Sequence, residues 1–341
     1  MKTETAVQQR STKEERMHRM HRMASAAYWV EFAKKWLWVI VRFVLIFGIS
    51  FVIVYPILLK LSIAFKSMDD LYDSAVIWVP RALTLDNFKL VFQAMNYPRV
   101  LLNTLFLSSA VMLLQTITCV LAGYGFARVR FKGSGLLFAA VIFTILVPSN
   151  TIMIPLYLHF KNFDLFGLIE LIKGEPANLI NTYWPFIISA VLGMGVKTGL
   201  YVYIFRQFFK GIPREIEEAA YVDGAGYFST FRRVILPNAI PSMVTVMLFS
   251  FVWQWNDSFF TNMYLNEPKV MSSMMASSGY AIATFLSGGE QAATASYVQD
   301  PFFMSMMMNT SVLMAILPLI ILYLFVQRHF VESVERSGLV G

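Results

Sequence analysis

Charge is what this sequence has least of. Only 14% of its 341 residues are Asp, Glu, Lys or Arg, against about 25% in soluble domains. That deficit excludes an ordinary water-soluble globular protein. Cysteine is nearly absent as well: Cys119 stands alone inside an apolar stretch, so no disulfide framework exists and redox chemistry is not expected. The four histidines are scattered. His18 and His21 lie in a hydrophilic N-terminal stretch, His159 and His329 at opposite ends of apolar runs, and no acidic or Cys cluster joins them at metal-ligand spacing. A phosphate-binding loop is missing too, because Gly195-Val-Lys197-Thr lacks the Gly-Lys-Ser/Thr ending. What is there is apolar. The hydrophobic share is 57%, with 30 Phe and 20 Met, and the mean hydropathy is +0.58. The solvent for such a chain is lipid.

Six stretches come near the roughly 20 apolar residues that a membrane-crossing helix needs. They are Leu37 to Leu59, Val100 to Leu121, Leu136 to Tyr157, Tyr183 to Phe205, Ala239 to Phe260 and Met304 to Val326. The expected fold is therefore all-α and polytopic, with one transmembrane domain over 36–328. A disordered basic tail over 1–35 precedes it and a short tail over 329–341 follows. The runs are too long and unbroken for a β-barrel. Internal Pro56, Pro148, Pro155 and Pro318 are compatible with helices whose neighbours re-satisfy freed backbone groups.

Lys and Arg orient the chain. With the tail inside, eighteen of them fall on the cytoplasmic side and seven outside, the asymmetry of the positive-inside rule. The formal charge of +7 is thereby explained by topology, and nucleic acid is not an expected partner. Arg42 and Lys60, near the ends of the first span, can snorkel to the interfaces.

The segment between the fourth and fifth spans carries the strongest signal. Over 210–237, Pro213 suits a helix start, and Glu215, Glu217 and Glu218 suit the positive end of the helix dipole. Asp223-Gly224 then breaks the helix. A second short helix, from about Tyr227 to Ile235, stops at Pro237. Two short helices about a glycine hinge make a knob suited to a cleft on a cytoplasmic partner.

The order Glu218-Ala219-Ala220, Gly224, then Val234-Ile235-Leu236-Pro237 resembles the EAA loop of permease subunits of bacterial ABC importers. Phe205-Arg-Gln-Phe-Phe209, Trp255-Asn256-Asp257 and Trp78-Val-Pro-Arg-Ala-Leu-Thr-Leu-Asp-Asn87 are similar to the carbohydrate-uptake branch of that family. The resemblance implies a type I importer permease with six transmembrane helices, half of a pathway for a sugar. Glu218 would then pair with a basic group of a nucleotide-binding subunit, Ala219 and Ala220 would permit close approach, Asp223 and Gly224 would form the turn, and Leu236 and Pro237 would close the loop. The implied partners are a second permease or a second copy of this chain, an ATPase dimer that binds ATP and Mg, an extracytoplasmic solute-binding protein, and membrane lipid. No cofactor or enzymatic activity is expected in this chain. Val340 replaces the family's frequent Lys near the C-terminus, which weakens the case for a tail contact with the ATPase.

Two places could line a solute path. Gly193-Met-Gly195-Val-Lys197-Thr-Gly199 surrounds a deep lysine with three glycines, which reads either as a local helix break or as close helix packing. Trp253, Trp255, Asn256 and Asp257 combine aromatic faces with hydrogen-bonding groups that suit a sugar, although Trp also marks membrane interfaces. An importer of the same architecture for a peptide or polyamine, and an ATP-independent channel or carrier, are the alternatives. The scarcity of intramembrane acids speaks against the last.

Overall fold

The structure is a computed structural model that describes residues 26–288 and 300–338. Among the described residues it is helical throughout, with no strand beyond an isolated bridge between Phe163 and Ala177. The chain divides into a unit ending at Ser62 and a larger one from Ile63 onward.

The described residues of the first unit belong to one helix, α1 (Ala26–Ala64), with Pro56 inside it. It begins ten residues before the expected tail boundary at residue 36, so part of the tail is helical; residues 1–25 lie outside the described residues. None of the side chains over 29–62 is buried. Phe43, Phe47, Phe51 and Tyr55 fall on one face at four-residue spacing, with successive ring centroids 5.9, 6.4 and 5.4 Å apart.

In the second unit, α2 (Tyr97–Arg128) is the central column. After it come α3 (Ser134–Leu146), α4 (Ser149–Lys161), α5 (Trp184–Val191), α6 (Thr198–Gly211), α7 (Glu215–Val222), α8 (Ile240–Asn256) and α9 (Pro301–Gly338). Both α6 and α8 pack along α2, and α9 lies against α8. Cys119 and Val120 of α2 meet Tyr201, Phe205 and Phe209 of α6, Ile235, and Val246 of α8 in one buried cluster. In lipid the drive for such packing is shape fit more than water exclusion, which favours small residues where backbones touch. Gly123 shows this: a Cβ there would stand 2.5 Å from Phe205 Cβ and 3.1 Å from the Arg206 nitrogen.

Among the described residues three helices, Trp29–Ala64, Tyr97–Arg128 and Pro301–Gln327, are each long and apolar enough to cross a membrane, and up to five spans result if each of two bent pairs counts as one. The expected third span is such a pair, α3 and α4 bending by 103° at Val147-Pro148. Val147 is extended (φ −71°, ψ 119°), as the residue before a proline prefers. The fourth expected span is not one helix. It is α5 and α6 separated by Leu192–Lys197, where Gly193 (φ 70°) and Lys197 (φ 61°) take left-handed backbone. The expected tail over 329–341 is also revised, since α9 continues to Gly338.

Candidate functional site

The knob forms as its sequence dictates. Its first helix, α7, ends in a Schellman motif: the Ala225 N–H donates to the Ala220 carbonyl at 2.9 Å and the Gly224 N–H to the Tyr221 carbonyl at 3.0 Å. Gly224 sits at φ 83°, a conformation open to glycine at little cost. The second helix is not α throughout. Tyr227–Thr230 passes into a π turn at Phe231–Ile235 and then Leu236–Asn238, so the helix ends one residue after Pro237. The wider π turn takes up the ladder disruption a proline brings. The chain then turns by 74° between Asn238 and Ile240, where α8 starts.

The exposed and buried faces of the knob divide the EAA residues. Glu218, Ala219, Asp223 and Gly224 are exposed, Pro237 also, Leu236 is half-buried, and Ala220 faces inward. Around the turn, Val222, Tyr227 and Phe228 are 87%, 81% and 73% exposed. Large apolar groups concentrated beside an acidic residue are the composition of a protein-docking surface. Glu217 is buried instead, its carboxylate 3.2 Å from Arg128 Nε. From the sequence, Glu217 is one of three acids suited to the helix dipole and Arg128 one of the cytoplasmic cations, with nothing to pair them. A usable signal was the helical spacing of Glu217, Ala220 and Tyr221, which puts Glu217 on the face that Ala220 turns inward. Tyr221 on this helix has its hydroxyl pKa raised, first by burial and then by the Glu217 charge.

The break between α5 and α6 is held by Gln115 of α2. Its Nε2 donates to the Val196 carbonyl and to Thr198 Oγ1, each at 2.8 Å, and its Oε1 accepts from Ser250 Oγ of α8 at 2.7 Å. Thr198 Oγ1 donates in turn to the Gly195 carbonyl at 2.8 Å. Such side-chain bonds to freed backbone groups are what make non-helical chain tolerable among apolar helices. Lys197 closes the break and is exposed, its Nζ 4.8 Å from the centroid of the Trp253 ring.

The tentative path residues therefore separate. Lys197 and Trp253 meet at an exposed surface. Trp255 is 3% exposed and donates through Nε1 to the Ala315 carbonyl of α9 at 3.3 Å. Asn256 is exposed and turns back on the Val252 carbonyl at 3.0 Å. Asp257 caps the short helix Phe259–Tyr264, accepting from the Phe260 and Thr261 N–H groups at 3.3 and 3.2 Å and from Thr261 Oγ1 at 3.3 Å.

A helical bundle with several apolar helices, one stretch of it broken around a polar hub, and a two-helix knob before α8 are the architecture of a membrane permease. Residues 119–336 match the family of binding-protein-dependent transport system inner membrane components, and the chain belongs to that family. It is 28% identical over 296 residues to the maltodextrin transport system permease protein MdxG of Bacillus subtilis, covering 86% of this chain and 93% of that one. Identity is 26% over 302 residues, with the same shares covered, to the arabinooligosaccharides transport system permease protein AraQ of Halalkalibacterium halodurans. Among solved structures, a bacterial ABC transporter involved in import of the acidic polysaccharide alginate aligns with a TM-score of 0.66 at 19% identity, over 87% of this chain and 98% of its own. That likeness fixes the fold as that of an ABC importer permease.

Proposed function

We propose that this chain is the transmembrane subunit of an ATP-driven carbohydrate importer and forms half of the pathway for an oligosaccharide. The observation that carries the coupling part is the Schellman-ended knob, which exposes Glu218 and Ala219 beside Val222, Tyr227 and Phe228. Such a surface suits a cleft with a cationic rim on a cytoplasmic ATPase, and that ATPase binds the ATP and Mg. The sugar is supported by what the relatives are named for, maltodextrin and arabinooligosaccharides. A second permease completes the pathway and an extracytoplasmic binding protein delivers the solute. Both termini lie on the cytoplasmic side by the distribution of Lys and Arg.

Lys197 and Trp253 are the path residues of this reading. A Trp face with an ammonium over it offers a sugar both an apolar platform and a hydrogen-bond donor.

The test is purification of the tagged chain from its native membrane in mild detergent, followed by reconstitution of the recovered complex in vesicles. An ATPase and a second permease should co-purify, and labelled oligosaccharide should accumulate only with ATP and binding protein. A chain recovered alone that moves solute without ATP would establish a channel or carrier instead. ATP-driven uptake of a peptide or polyamine, with none of sugar, would keep the architecture and replace the solute.

A further inference from the structure

Of two adjacent glutamates on α7 one is exposed and the other buried, and the buried one is paired with the end of a membrane-spanning helix. Four ion pairs occur among the described residues. In three of them both side chains are at least 32% exposed, whereas Arg128 and Glu217 are 6% and 11% exposed. Exposed pairs are screened and weak, but breaking a buried pair leaves a charge stranded in a poor dielectric. Arg128 is the last residue of α2 and Glu217 lies in the first turn of α7. The same guanidinium donates to the carbonyl of Ile212, the residue that ends α6. One cation at the end of α2 therefore reaches both the C-cap of α6 and the knob.

Neighbouring contacts make this joint stiff. Tyr124, one turn before Arg128 on α2, packs into the same joint. Its ring lies 5.5 Å from Phe209 and 4.7 Å from Phe231. Close approach at Gly123, the residue before Tyr124, sets α2 against α6. A displacement of α7 relative to α2 would have to part the pair and bury both charges unmatched. Moving the helices together keeps it whole. Through Gln115, α2 also holds the break at Val196 and Thr198 and the side chain of Ser250 on α8.

We propose that the Arg128–Glu217 pair is the joint that passes motion of the knob into α2, and thus toward the Gln115-held break, so that the two are positioning residues for energy coupling. This rests on the reading of α7 as the helix seated on an ATPase, and it separates the work of two adjacent acids: Glu218 docks, Glu217 transmits.

The experiment compares reconstituted complexes carrying wild-type chain, Glu217→Gln, Glu218→Ala and the reversed pair Arg128→Glu/Glu217→Arg. It reads ATPase retained on purification, ATP hydrolysis, and oligosaccharide accumulated per ATP. Glu217→Gln should retain the ATPase and hydrolyse ATP at close to the wild-type rate while uptake per ATP falls roughly tenfold, a loss within the usual range of coupling energies. Glu218→Ala should instead lose ATPase on purification. The reversed pair should recover part of the uptake per ATP, since it restores the charge match but not the donation to the Ile212 carbonyl; retained ATPase and hydrolysis in Glu217→Gln are what a merely structural loss would not allow. If Glu217→Gln does not accumulate in the membrane, Arg128→Lys replaces it, because a single ammonium cannot hold the carboxylate and the Ile212 carbonyl in the same fork, and the same ratio should fall. Wild-type uptake per ATP in the tested single variant, loss of ATPase by it, or no recovery by the reversed pair overturns the joint. A wild-type complex with no ATP-driven uptake overturns the functional reading beneath it.

Discussion

Ser250 of α8 donates to Gln115 of α2 at 2.7 Å, and the other end of the same amide holds the Val196 carbonyl and Thr198 Oγ1. Gln115 is 1% exposed. A single buried side chain thus joins three elements and stabilises the non-helical stretch that positions Lys197. Replacing Gln115 by Leu keeps the volume and strands those groups, at about 1–3 kcal/mol for a buried unsatisfied partner. The expected result is a lower unfolding midpoint in detergent, with a smaller drop for Ser250→Ala. Equal midpoints for wild type and Gln115→Leu would remove the hub.

Two tryptophans two residues apart should behave oppositely. Trp255→Ala empties a buried site and breaks the bond to Ala315, for a loss of about 3–5 kcal/mol, visible as reduced membrane yield or thermal stability. Trp253, 46% exposed, should tolerate Ala in stability but lose uptake, as should Lys197→Met. Full uptake by both of these variants would take the Lys197–Trp253 pair out of the solute path.

Gly224→Val places a β-branched residue at φ 83°, which costs on the order of 1–2 kcal/mol for the backbone alone. Because the turn is at the tip of the knob, the chain should still insert while binding of the ATPase weakens. Undiminished co-purification of the ATPase with this variant would count against the docking surface.

At Gly123 even one methyl is too much. Ala there meets Phe205 Cβ at 2.5 Å and the Arg206 backbone, so α2 and α6 must separate, with a penalty of about 1–3 kcal/mol typical of overpacking. Thermal unfolding of Gly123→Ala should show it, and a wild-type midpoint would show that the two helices are free to shift.

The knob was largely legible in the order of residues, because its determinants are local. Acids at a helix start and glycine after Asp223 produce a capped helix whatever packs around it. The membrane setting was legible for a similar reason: apolar composition and long runs select lipid as solvent before any tertiary contact forms. Pro237 marked the end of the second helix to within a residue, but the π turn over Phe231–Ile235 had no signal in the order of residues.

What only the tertiary structure decided are the roles that depend on which groups meet across the bundle. Hydropathy marked Tyr183–Phe205 as a span but could not choose between a break and tight packing at Lys197; Gln115, some eighty positions earlier, supplies the hydrogen bonds that make the break tolerable. Spacing placed Trp253 and Trp255 in one candidate set, and helix rotation put one beside Lys197 and the other under Ala315. Glu217 and Glu218 are the same residue type side by side in the chain. Only the arrival of Arg128 at the end of α2 turns one into a buried anchor and leaves the other exposed, because the free energy of a charge is set by the surroundings it is given, and not by its place in the sequence.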